Sequence, residues 1–145
     1  MEKDSLVIFQ NNNDRSIFVK GHIISDYQTT LIRGSGVDLD KFRYSPEPTT
    51  VKTVVFLARL LKDKGLIEFC AAAEIIKKTV VARFILVGDL DPDNPNSISK
   101  NELADFIDKG IIEHWGYSKN VESVISQSHI MVLPSYREGL PKKST

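Results

Sequence analysis

Cysteine, one-sided charge and long apolar runs are all scarce in this sequence, and each scarcity removes a class of protein. A single cysteine, Cys70, excludes an internal disulfide framework or a cysteine-rich zinc module. It also suits a reducing compartment, so a soluble cytoplasmic protein is the first expectation. Lysine and arginine number 19 and so do aspartate and glutamate, a balance that argues against a nucleic-acid binder, whose footprint is a basic face. The longest apolar runs, such as VVFLA at residues 54–58, are far too short to cross a bilayer, and no transmembrane segment is expected. The opening MEKDS precedes no sustained apolar stretch and does not read as a secretory signal. What remains is 145 residues with 41% apolar and 26% charged composition, the profile of one soluble domain or of one domain carrying part of another.

Hydrophobic patterning supplies the fold class. Residues 6–9 are apolar and β-prone, the polar run 10–14 offers N-caps for a helix over 15–20, and residues 29–33 make a second extended segment. Two prolines in the stretch YSPEPTT, residues 44–50, bar a regular helix or a central strand and mark a domain boundary. From Val51 onward, strands and helices alternate. Residues 54–58, 83–87, 111–115 and 129–133 read as buried strands. Between them, residues 65–78 carry a stripe of Leu66, Phe69, Cys70, Ala73 and Ile76, and Ser99-Lys100-Asn101-Glu102 spells a capping box ahead of Leu103, Phe106 and Ile107. A third, short helix is expected over 121–127. Such alternation predicts an α/β, Rossmann-like parallel sheet.

Ligands of open parallel sheets bind beyond the carboxyl ends of the strands, which directs attention to the loops 59–64, 88–95, 116–119 and 135–141. The first places Arg59 directly after a strand, with Lys62 and Lys64 beyond it. A phosphate would suit these cations, and so would plain solvent. In SYREGLP, residues 135–141, a glutamate and a glycine precede a proline suited to the first position of a helix. That turn would gather Glu138 and backbone N–H groups at one point, although glycine and proline can also serve geometry alone. Other candidates fail on inspection. Gly34-Ser35-Gly36 lacks the third glycine and the following helix of a dinucleotide fingerprint. Asp89, Asp91 and Asp93 mimic the start of a calcium loop, but its sixth and twelfth positions hold Asn94 and Lys100. His22, His114 and His129 lack metal spacing, and Cys70 reads as a small core residue.

Taken in order, these pieces resemble the GT-B retaining glycosyltransferases of family 4, also called group 1. VIFQNNNDRSIF at residues 7–18 is similar to the end of that family's acceptor domain, and IRGSGVDLDKF at 32–42 to its hinge, with Ser35 in place of the common asparagine. VVFLARLLKDKGL at 54–66 and FILVGD at 84–89 resemble the first strands of the nucleotide-binding domain. Residues 111–142, IIEHWGYSKNVESVISQSHIMVLPSYREGLPK, resemble the run into the Glu-x7-Glu motif.

The resemblance implies that residues 1–48 end an acceptor domain and hinge, and that 49–145 form an incomplete donor-nucleotide domain. It implies catalytic roles for Arg59 and Lys64 on the donor diphosphate and for Glu138 on the donor sugar. Backbone groups at Gly139 and Leu140 would hold sugar and phosphate, while Trp115 and Gly116 would meet the nucleobase. No metal or other cofactor is implied beyond the nucleotide sugar itself. The acceptor would be a saccharide or a lipid-linked saccharide in surface polysaccharide biosynthesis, with peripheral membrane association on the cytoplasmic side. The second motif glutamate would fall at position 146, and the isolated chain is therefore expected to be an inactive fragment. Two alternatives stand beside this reading: a non-catalytic Rossmann-like regulatory module, disfavoured because Ala58-Arg59 occupies the place of a receiver's acidic pair, and the product of a disrupted gene.

Overall fold

A computed structural model of the chain describes residues 5–34 and 36–136. They divide into two compact units, one running up to Leu39 and the other beginning at Asp40.

In the first unit, strand β1 (Val7–Phe9) pairs in parallel with β2 (Thr29–Leu31), and helix α1 (Asn12–Lys20) connects them. The helix starts three residues earlier than the sequence pattern suggests. Asn11 explains this, because its side-chain oxygen accepts the Asp14 N–H at 2.8 Å and caps the first turn from within the polar run. Phe9 is buried and meets Phe18 edge-on at 5.4 Å between ring centres. Arg15 spans the unit, donating to Thr29 Oγ1 and to the Asp26 carboxylate.

The second unit carries β3 (Lys52–Leu57), α2 (Leu66–Ile76), β4 (Ala82–Val87), α3 (Lys100–Asp108), β5 (Glu113–His114), α4 (Val121–Ser126) and β6 (Ile130–Val132). Its four strands lie in the order β5-β4-β3-β6 and all run parallel, as the alternating pattern predicts. Val55 faces Ile85 on one side and Met131 on the other, at the centre of the sheet.

Successive residues of β3 and β4 supply opposite faces. On one face Phe56, Phe84 and Leu86 pack with Leu66, Phe69, Cys70 and Ala73 of α2 and with Leu103 of α3. Val55, Leu57, Ile85 and Val87 pack with Val124 of α4 on the other. Buried positions in α2 recur at steps of three and four, the spacing that turns one stripe of a helix to the sheet. Ile76, expected on that stripe, is partly exposed because the helix ends there. The capping box forms as read: Ser99 accepts the Glu102 N–H at 3.1 Å, and Glu102 accepts the Ser99 N–H at 2.7 Å. At β5 only two residues pair, although Ile111 and Ile112 before them are buried and anchor the segment.

His129 settles in a structural role. Its Nδ1 accepts the Thr53 N–H at 3.0 Å and its Nε2 donates to the Pro48 carbonyl at 2.9 Å, which fixes one tautomer and ties the proline-rich connector to β3. The chain builds outward through β3, β4 and β5, then returns through α4 to the far side of β3. That reversal puts a topological switch point between β3 and β6, the place where such sheets open a crevice.

Candidate functional site

Residues 58–65 leave β3 at this switch point, and the shape of their loop follows from two buried leucines. Leu60 and Leu61 are fully enclosed, so the loop is pinned inward at its middle while Arg59 points outward. Backbone bonds to the β4 loop complete the hold. Leu60 N–H donates to the Asp89 carbonyl at 3.0 Å, Lys62 N–H to Asn96 at 2.7 Å, and Ile98 N–H to Leu60 at 3.3 Å. Gly88 makes the close approach possible: a Cβ there, at a φ of +147°, would lie 1.8 Å from the Ala58 carbonyl oxygen. No L side chain fits.

Arg59 thus stands on a rigid base. Its side chain is 64% exposed, and Nη1 donates to Asp91 Oδ2 at 2.8 Å, its side-chain contact among the described residues. Asp91 is itself seated, since its N–H reaches Ser97 Oγ at 3.1 Å and its carbonyl accepts the Asn94 N–H. An arginine fork with one arm engaged keeps donors for an anion. Lys64 closes a 3-10 turn over Lys62–Lys64 just before Gly65 in the same loop. Lys62 leaves the group, pairing with Glu102 of α3 at 3.3 Å.

The loop after β6 is fastened to this one. Gly65 lies so close to Pro134 that a Cβ would come within 2.2 Å of its carbonyl oxygen, and Gly65 again takes a left-handed φ of +75°. Tyr136 N–H donates to the Asp63 carbonyl at 3.1 Å, and the Tyr136 hydroxyl donates to the Glu68 carboxylate on α2. This hydrogen bond holds the Glu68 carboxyl below its ordinary range and pushes the phenol above its own. Glu138, Gly139 and Leu140 come after Arg137 and lie outside the described residues.

On the other flank, the β5 loop approaches through its backbone. The Gly88 N–H donates to the Gly116 carbonyl at 2.9 Å, and the Tyr117 N–H to Asp89 Oδ1 at 3.1 Å. His114 Nε2 donates to the Gly88 carbonyl at 2.8 Å. The Trp115 indole is occupied instead along the sheet edge: its N–H reaches Glu113, and the Arg83 guanidinium stands 5.7 Å from the ring centre. What this segment brings toward the Arg59 loop is therefore main chain around Gly116.

The structure brings Arg59, Lys64 and the start of the Glu138 loop to one end of the sheet and leaves the Trp115 ring beside Arg83. Several contributors went unassigned in the sequence. Asp91 appears there only in a calcium-loop pattern that fails, Gly88 only at the end of an apolar run, and Tyr136 and Glu68 carry no local signal. Only the Gly-Asp pair after an apolar run hinted at a close approach. Among the described residues, no group of three His, Cys, Asp or Glu side chains could hold a metal ion.

A parallel sheet with helices on both faces and a switch point between β3 and β6 defines a Rossmann-like domain. The family model for glycosyl transferases group 1 matches residues 51–144, and the chain belongs to that family. Among relatives, an N,N'-diacetylbacillosaminyl-diphospho-undecaprenol alpha-1,3-N-acetylgalactosaminyltransferase of Campylobacter jejuni is 35% identical over 143 residues, spanning 90% of this chain and 36% of the relative. A UDP-Gal:alpha-D-GlcNAc-diphosphoundecaprenol alpha-1,3-galactosyltransferase of Escherichia coli is 26% identical over 93% of this chain and 38% of its own length. The chain thus spans little more than a third of these curated relatives. In structure, Anabaena HepE in complex with UDP and glucose superposes with a TM-score of 0.70 at 18% identity, over 93% of this chain and 39% of that one. A glycosyltransferase from Rickettsia africae gives 0.71 at 19% identity, over 90% and 38%. These likenesses confirm the α/β Rossmann-like fold.

Proposed function

We propose that this protein is a hexosyltransferase that takes a sugar from a nucleoside-diphosphate donor, with retention at the anomeric carbon. The acceptor is a saccharide or lipid-linked saccharide in surface polysaccharide biosynthesis. Arg59 carries the reading: a half-engaged guanidinium fixed by buried leucines at the switch point of a parallel sheet. When the bond between the anomeric carbon and the diphosphate oxygen breaks, its electron pair stays on the diphosphate. Preplaced cations lower the energy of that developing charge. Arg59 and Lys64 fill this role and take the place of a metal ion. Glu138 contacts the donor sugar, Gly139 and Leu140 offer backbone groups to sugar and phosphate, and the main chain at Trp115 and Gly116 flanks the nucleobase.

Residues 49–145 then serve as donor-binding segment, and residues 1–48 as the end of an acceptor domain with its hinge. Names of the relatives support both substrates, since one includes a UDP-sugar and both include diphospho-undecaprenol-linked acceptors. HepE was solved with UDP-glucose. We place the reaction in the cytoplasm at the inner face of the membrane, served by peripheral association. Among the described residues, no helix is long and apolar enough to cross a membrane.

The test is saturation-transfer NMR with UDP and GDP on native protein and on an Arg59→Ala, Lys64→Ala double variant. Each lost charge-assisted hydrogen bond is worth about 1.5–3 kcal/mol, so binding should weaken by tenfold or more. Equal binding by both proteins would sink the assignment of these two residues.

A further inference from the structure

The carboxyl edge holds a three-point fastening that the proposed transfer chemistry does not use directly. Its first point is the contact of Gly65 with Pro134, tight enough to exclude any side chain at position 65. A second is the 3.1 Å bond from the Tyr136 N–H to the Asp63 carbonyl. Completing the set, the Tyr136 hydroxyl donates to the Glu68 carboxylate in the first turn of α2. All three join the loop after β6 to the loop after β3, across the switch point.

Tyr136 is an exposed aromatic, 73% accessible, whose ring adds little to the core. A side chain with so little burial gains mainly through its polar end, and a hydrogen bond to an ionised acceptor is about twice as strong as a neutral one. The fastening also stands at a mechanically decisive place. Two residues after Tyr136 comes Glu138, and one residue before Gly65 comes Lys64. Whatever fixes Tyr136 against Asp63 and Glu68 fixes the spacing between the cationic loop and the start of the glutamate loop. An error of about 1 Å in such spacing can cost two orders of magnitude in rate.

We propose that Tyr136 and Glu68 are positioning residues, a phenol–carboxylate latch that presets the gap between the β3 and β6 loops for a nucleoside-diphosphate ligand. This inference rests on the reading of Arg59 and Lys64 as the diphosphate site.

The experiment uses the purified protein with Tyr136→Phe, Glu68→Ala, Glu68→Gln and the Tyr136→Phe, Glu68→Ala double variant. UDP is the probe, and binding is followed by amide chemical shifts. Tyr136→Phe and Glu68→Ala should each weaken UDP binding by about 3- to 10-fold, with the double variant no weaker than either single one. Glu68→Gln, which keeps an acceptor for the hydroxyl, should recover most of the affinity. Thermal midpoints should stay near native, since the pair is exposed. Unchanged affinity in Tyr136→Phe, or losses that simply add in the double variant, would overturn the latch.

Amide exchange separates failure of the latch from failure of the diphosphate reading. Faster exchange at the Tyr136 N–H in both single variants supports the latch even if UDP binds neither native protein nor variants. Unchanged exchange there overturns the latch whatever UDP does.

Discussion

Two arginines stand at opposite ends of the same sheet, and they teach which end does what. Arg83, near the start of β4, donates through Nε and Nη2 to both oxygens of Glu113 at 2.8 and 2.6 Å and stands over the Trp115 ring. Its fork is filled, and this pairing raises the guanidinium pKa further. Arg59, just past the end of β3, spends Nη1 on Asp91. One arginine gives a bidentate edge to its own chain and reads as a clamp. The other, among the described residues, keeps donors beyond the one it gives to Asp91.

Their surroundings differ in the same sense. At the starts of the strands, polar groups close on one another through the Arg83–Glu113 and Lys52–Glu47 ion pairs and the His129 ring between Thr53 and Pro48. At the strand ends, left-handed glycines and buried leucines carry the loops, and the loops bond backbone to backbone. Rigid main chain beside an exposed arginine with one arm engaged is an arrangement that suits an anion.

The sharpest break in this contrast is Gly88→Ala. A methyl group would overlap the Ala58 carbonyl and sit at a backbone angle that L residues rarely adopt. Strain and overpacking together should cost about 3–4 kcal/mol. Urea unfolding should show that loss, and UDP binding should disappear with it. A native-like midpoint would mean that the two loops need no close contact.

Arg83→Ala comes next. The pair with Glu113 is half exposed on each side, so its removal should lower stability by about 1 kcal/mol and leave UDP affinity unchanged. A drop in affinity without a drop in stability would place Arg83, and not Arg59, at the ligand.

The smallest effect concerns pH. The Arg83 hydrogen bond holds the Glu113 carboxyl below its ordinary value of 4.5. A depressed folded-state pKa stabilises the fold above the unfolded value, and that contribution is lost as pH falls through the folded value. Native protein should therefore lose stability more steeply than Arg83→Ala as pH drops below 4.5. Parallel acid limbs for the two proteins would remove Glu113 from the clamp.

Much of this fold was legible in the sequence because it rests on apolar periodicity. β3 and β4 announce themselves as continuous apolar runs, α2 as a stripe ending in paired lysines, and α3 by its capping box. Element ends were less legible. Asn11 starts α1 early with one side-chain bond, and β5 shrinks to two residues because Ile111 and Ile112 spend their burial before the pairing begins. The site was legible in part. Arg59 and Lys64 follow from the rule that ligands gather beyond strand ends. Asp91, however, meets Arg59 across 32 positions, and Tyr136 meets Glu68 across 68, distances over which a single sequence carries no pairing signal. Trp115 shows both cases: Glu113 lies two positions back along the same strand, whereas Arg83 comes from the neighbouring strand with no local signal.

The central claim, that the strand ends and not the strand starts are built for a nucleoside diphosphate, reduces to one side-by-side titration. UDP binding by saturation-transfer NMR should fall about tenfold or more in Arg59→Ala and stay at the native level in Arg83→Ala. Native-level binding in Arg59→Ala, or an equal loss in both, would contradict it.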